Sequence, residues 1–135
     1  MKKLSVYLPL AVLLLLGGAG CSKSSDATPA PAVVPQEYQV EYRVSSTGPV
    51  ADYVAYNDEK NASITLATTP LPLSRSFKRT MSKGDYLTLS ATTPAAMGGG
   101  TTTLTTSILL NGKEMRKSQS TALEPRAVSV YVIGE

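Results

Sequence analysis

The sequence contains no histidine and no tryptophan, a single cysteine and a single phenylalanine. Without histidine the commonest general base is missing, which excludes Ser-His-Asp and Cys-His catalysis within this chain. The usual zinc, iron-sulfur and haem ligand sets are missing with it, so no metal and no cofactor is expected. One cysteine allows no intrachain disulfide. Long apolar runs are equally scarce. Leu4 to Leu16 forms one of about a dozen residues, below the roughly 18 to 20 that span a bilayer core, so a permanent transmembrane helix is not expected. An excess of one charge is also missing. Thirteen Lys and Arg face ten Asp and Glu, a near balance with no electrostatic reason to bind nucleic acid.

What is present at the amino terminus is ordered. Met1-Lys2-Lys3 is a short positive segment, the apolar run follows, and the small residues Gly17-Gly18-Ala19-Gly20 precede Cys21. This is the three-part layout of an export signal. Small residues suit the extended backbone a peptidase accepts, and a cysteine at the first mature position presents a thiol for alkylation by a diacylglyceryl group. The segment resembles the lipobox of bacterial lipoproteins, with Gly18 standing where leucine is usual. The resemblance implies that residues 1 to 20 are removed, that Cys21 is lipidated, and that acyl chains hold the protein to a membrane at about 0.8 kcal/mol per buried methylene. It also explains a lone cysteine, which exported proteins tend to avoid leaving free. Loss of Lys2 and Lys3 leaves eleven basic and ten acidic side chains.

Residues 21 to 36 open on Cys21 and continue with three prolines and almost no large apolar side chain. They are expected to be an extended, mobile tether, reaching on the order of 45 Å as polyproline II. Ser22 stands where an aspartate retains many enterobacterial lipoproteins in the inner membrane, which favours the outer membrane.

Residues 37 to 135 carry β periodicity and form the expected folded domain. Tyr38, Val40, Tyr42 and Val44 alternate with Gln39, Glu41 and Arg43, the pattern of a half-buried strand. A turn at Thr47-Gly48-Pro49 leads to a strand over 50 to 56, and Asn57 to Asn61 turns into a strand carrying Ile64 and Leu66. Pro70 and Pro72 mark an edge or crossover. A short strand over 74 to 80 and a turn at 82 to 85 precede Leu87, Leu89 and Ala91 on one face. Pro94 to Gly100 is a flexible loop. Leu104, Ile108 and Leu110 then share a face, and Asn111-Gly112 is a strong hairpin signal, since both residues tolerate positive φ. Val128, Val130 and Val132 share one face of the last strand. No helical period follows the signal. About seven short strands with frequent turns predict an all-β, antiparallel, immunoglobulin-like β-sandwich, with a barrel of similar strand count as the alternative.

Ile64-Thr65-Leu66, Leu71-Pro72, Ser74 with a basic segment, Lys83-Gly84-Asp85 leading into Leu87 to Ala91, and Leu110 to Lys113 follow one another in an order that resembles the MmpS family. Its members are small, membrane-attached proteins with a β-sandwich outside the cytoplasm that accompany RND-type lipid and siderophore exporters. The likeness covers roughly Tyr38 to Ile133. Leu73 stands where the family commonly has tryptophan, the frequent cysteine pair is missing, and a lipid anchor replaces the amino-terminal transmembrane helix. The resemblance implies a β-sandwich fold and an RND-type transporter as partner.

Arg75, Lys78, Arg79 and Lys83 are the candidates for contact with anionic headgroups, phosphorylated glycans or an acidic partner, set against a charged edge strand that resists aggregation. Alternation places Arg75 and Arg79 on one face and Lys78 on the other. Lys113, Arg116 and Lys117 read as the solvated side of a hairpin. Tyr38 and Tyr42 are expected in or at the rim of the core, while Tyr53, Tyr56, Tyr86 and Tyr131 are open to a ligand-stacking role. Asp52, Asp58, Glu59 and Asp85 match no calcium loop or paired-carboxylate spacing and fit turn chemistry. Gly98-Gly99-Gly100 lacks the ending of a phosphate loop. The chain is therefore expected to be a non-enzymatic envelope lipoprotein, an accessory or interaction module. The alternative is a surface module binding glycan or lipid, which predicts a tyrosine-lined concavity.

Overall fold

A computed structural model of the chain describes residues 34–135. The expected signal, Cys21 and most of the tether lie outside the described residues. Eight strands follow in order: β1 (Gln36–Ser46), β2 (Val50–Asn57), β3 (Ser63–Pro70), β4 (Leu73–Met81), β5 (Tyr86–Thr92), β6 (Thr102–Leu110), β7 (Lys113–Ala122) and β8 (Arg126–Val132). There is no helix among the described residues. The strands form two four-stranded sheets, β4-β1-β6-β7 and β3-β2-β5-β8, and every pairing is antiparallel. The expected β-sandwich is thus the observed architecture, with eight strands where about seven were expected and two separate sheets where a barrel would have one.

Local chemistry accounts for the turns. Asn111 and Gly112 adopt φ of 50° and 81°, the left-handed pair that a two-residue hairpin requires, and Leu110 pairs with Lys113 across them. The Asn111 amide N–H donates to the Gln39 carbonyl at 2.8 Å, and its side-chain Oδ1 accepts from the Gln39 N–H at 2.9 Å. One asparagine thereby extends the β1 ladder beyond the end of β6. In the β2–β3 turn, Asp58 Oδ1 accepts from the N–H groups of Lys60 and Ala62, an Asx-type turn. Asp85 Oδ2 closes the β4–β5 turn by accepting from the Ser82 N–H at 2.8 Å. Pro70, Leu71 and Pro72 carry the chain from β3 at the edge of one sheet to β4 at the edge of the other, with a cis bond at Leu71-Pro72.

The core lies between the sheets. Val40, Tyr42 and Val44 of β1, Leu87, Leu89 and Ala91 of β5, and Leu104, Ile108 and Leu110 of β6 are all buried, each trio at the spacing its strand's alternation required. The Tyr42 ring stands 5.5 Å from Tyr56 in a tilted pair and 5.6 Å from Phe77 in an edge-on one, the latter a geometry aromatic pairs prefer.

β8 obeys alternation with an unexpected choice of side. Its inward residues are Ala127, Ser129 and Tyr131, while Val128 and Val130 stand outside, 44% and 46% exposed. Ser129 tolerates burial because its Oγ lies 2.9 Å from Thr106 Oγ1 and donates to the Thr106 carbonyl at 3.2 Å. A buried hydroxyl with partners costs far less than one without.

Candidate functional site

Strand pairing assembles the outer face of the β3-β2-β5-β8 sheet, because directly opposed residues share a side. Val128 pairs with Ser90, Val130 with Thr88 and Val132 with Tyr86. Ser90 pairs in turn with Ala55, and Ala55 with Thr65. The face runs from threonine, serine and alanine at its centre to a valine stripe at β8. Its charges sit at one corner, where Arg126 pairs with Thr92 and Asp52 accepts from the Thr92 hydroxyl at 2.6 Å. Asn57, at the end of β2, accepts through Oδ1 from the Thr88 hydroxyl. Tyr53 and Tyr86 are 41% and 46% exposed at opposite ends of β5. Six residues of strand separate them, roughly 20 Å, so they form no common stacking platform.

A second feature lies at the end of the sandwich where β1 passes into β2. A half-open cavity of about 670 Å³ is lined by residues 47–50 on one side and by residues of the β5–β6 connection on the other, Thr93 and Met97 among them. Pro49, Val50, Pro94, Ala95 and Ala96 supply its apolar wall, and no charged side chain lines it. Thr93 is 2% exposed, and its hydroxyl has no hydrogen-bond partner. Gly98 and Gly99, at φ of 94° and 74°, give the rim a backbone that other residues adopt with strain.

The four basic candidates are divided by the fold. Lys78 points outward from β4 and pairs with Glu37 at 3.0 Å. Arg79 turns inward and is 8% exposed, with Nη1 buried and unpartnered. Arg75 shares that side of β4 but is exposed. Lys83, in the β4–β5 turn, lays its methylene stem against Gly134, where an added Cβ would stand 2.9 Å from Lys83 Cγ. The Tyr42 hydroxyl is likewise buried without a partner. Burial pushes the Tyr42 phenol well above its ordinary value, and the charge of Arg79 opposes that only in part. Of the second basic group, Arg116 reaches Glu135 at 3.5 Å.

The carboxylates serve local structure. Asp58 and Asp85 cap their own turns, and among the described residues no three acidic, cysteine or histidine side chains gather as metal ligands. Tyr38 and Tyr42 lie at the rim and in the core respectively, as alternation required. Sequence reasoning did not identify the cavity, because residues 47–50 and 93–102 meet only through the sandwich; the proline- and glycine-rich composition of the second segment was the signal available.

No family model matches the chain, and no curated protein matches it.

Proposed function

We propose that this chain is a membrane-anchored, non-enzymatic envelope lipoprotein that acts as an accessory or interaction module for a protein complex of the envelope, with an RND-type exporter as the sharpest version of that partner. The observation that carries the reading is the outer face of the β3-β2-β5-β8 sheet, uncharged apart from Arg126 and Asp52 at one corner and ending in the exposed valines 128 and 130 beside Tyr86. Fully burying a valine side chain contributes about 1.5 kcal/mol or more, so covering this stripe supplies a driving force that the charged outer face of the other sheet lacks. A contiguous apolar stripe framed by hydroxyl-bearing side chains suits a neutral protein surface better than an anion or a polynucleotide. Anchoring through Cys21 places the domain outside the cytoplasm, attached to a membrane, with the outer membrane favoured.

The test is photo-crosslinking of the intact lipoprotein in its own envelope. A crosslinking residue at Val130 is compared with one at Lys117 on the opposite outer face, followed by mass spectrometry. Capture of the same transporter or envelope complex from Val130 alone, abolished by Val128→Asp, is the expected result. Equal capture from both positions, or recovery of the monomer alone from Val130, overturns the assignment.

A further inference from the structure

The outer face of the β4-β1-β6-β7 sheet, across the sandwich from the valine stripe and independent of the partner reading, carries a half-open groove of about 300 Å³. Strand pairing lays one row of side chains across all four strands beneath it: Ser74 beside Arg43, Arg43 beside Ser107, and Ser107 beside Lys117. All four line the groove. Arg43 and Lys117 stand two strand spacings apart, about 10 Å between Cα atoms, a gap that two long side chains close from either side over Ser107, itself 6% exposed. Glu41 fixes the Arg43 guanidinium through Nε and Nη2 and leaves Nη1 outside that pair, so this planar donor is in place before any ligand arrives. Lys117 belongs to no ion pair among the described residues. The groove also depends on an irregularity in β7. Leu109 pairs with Glu114 but Ile108 pairs with Arg116, so Met115 is an extra residue. Residues three apart on a regular strand face opposite ways; the bulge turns Glu114 and Lys117 to one side, where both line the groove. Bulges re-aim side chains in this way beside functional sites. Two residues along the strands from the charged row, about 7 Å, Ser45 and Thr105 pair with each other and add hydroxyls to the lining.

We infer that this groove binds a sugar acid, a ring that carries one carboxylate among hydroxyl groups. Lys117 and Nη1 of Arg43 hold the carboxylate, and the ring hydroxyls bond to Ser45, Thr105 and the Glu114 carboxylate, which accepts from them. A neutral sugar leaves the Lys117 charge unanswered, and a simple anion leaves Glu114 and the hydroxyl row unused. Glu114 also repels a doubly charged phosphate more than a singly charged carboxylate. No aromatic side chain lines the groove to stack on a sugar face, so the expected dissociation constant is on the order of 1 mM. Charges and hydroxyls exchange solvent for a small polar solute but offer a protein little apolar area, so the two outer faces take different occupants.

The test uses residues 21–135 carrying Cys21→Ser, which keeps all eight strands, with methyl β-D-glucuronide, methyl β-D-glucoside and acetate as probes. In two-dimensional amide NMR, the glucuronide is expected to shift resonances of residues 43–45, 105–107 and 114–117 saturably. The glucoside, which lacks the charge, and acetate, which lacks the ring, are each expected to bind at least about fivefold more weakly. Lys117→Gln should weaken the glucuronide about tenfold and leave the glucoside unchanged, a split that a merely structural role would not produce. Val128→Asp, on the other outer face, should leave glucuronide binding intact, so loss of this site and loss of the partner face are told apart. Shifts centred elsewhere on the domain, no saturable shift at tens of times the expected constant, glucoside or acetate binding as tightly as the glucuronide, or a Lys117→Gln protein that binds unchanged would each overturn the inference.

Discussion

On the outer face of β1, Glu41 grips Arg43 through two hydrogen bonds of 2.7 and 3.0 Å and takes a third from the Ser74 hydroxyl. On the outer face of β8, Val128 and Val130 meet only Ser90 and Thr88 across the ladder. Both are antiparallel sheets of four strands over one shared core, so the contrast belongs to the side chains and not to the architecture. A face laced with opposite charges is complete in water, because its hydrogen-bonding capacity is met within the sheet or by solvent. A face of valine, threonine and alanine loses little by being covered and gains by it. The difference teaches where to look for a partner.

That comparison presumes one core beneath both faces, and the largest expected effect tests it. Ile108→Ala should lower stability by about 2 to 5 kcal/mol and do so in a single urea transition reported equally by probes on either sheet; two separated transitions would divide the faces into independent units. Next is Ser129→Ala, which removes the partner of Thr106 and should cost about 1 to 3 kcal/mol by the same measurement. A cost near zero would mean that the inward facing of Ser129, and hence the outward facing of the valines, is held by something other than this pair. Thr93→Val deletes an unpartnered buried hydroxyl, so its stability in the same unfolding measurement should equal or exceed that of the parent, by about 1 kcal/mol or less. Val130→Lys should leave stability within about 0.5 kcal/mol, as exposed substitutions do, while removing partner capture. The smallest effect belongs to the charged face. The Arg43 guanidinium holds the Glu41 carboxyl below its ordinary value of 4.5. A depressed carboxylate contributes stability above its unfolded value and loses it as pH falls through the folded one. Parent and Glu41→Gln should therefore differ slightly at pH 7 and converge in acid, and a difference that grew in acid would reverse the sign of the contact.

Much of the sandwich was legible in the sequence, and particular residues show why the rest was not. Leu87, Leu89 and Ala91 alternate with hydroxyl residues, so period and side coincide. In β8 the same alternation runs between valines and a set of Ala127, Ser129 and Tyr131, and hydrophobicity alone favours burying the valines. The opposite choice rests on Thr106, 23 residues away on the other sheet, which no local pattern records. Similarly, spacing placed Arg75 and Arg79 on one side of β4, but only Arg79 is buried there, a difference that the alternation of β4 does not contain. The valine face and the cavity are both made by contacts distant in sequence, so the candidate sites were less legible than the strands that hold them.

The position of β1 has a mechanical consequence. The chain enters the domain through a strand hydrogen-bonded on both sides, to β4 from Gln36 to Val44 and to β6 from Val40 to Ser46. A pull on the entering chain along the strand axis loads both ladders in shear, so many bonds must yield together, whereas an edge strand drawn sideways would unzip one bond at a time. The domain is thereby built to bear tension applied at Gln36 without unravelling from that strand.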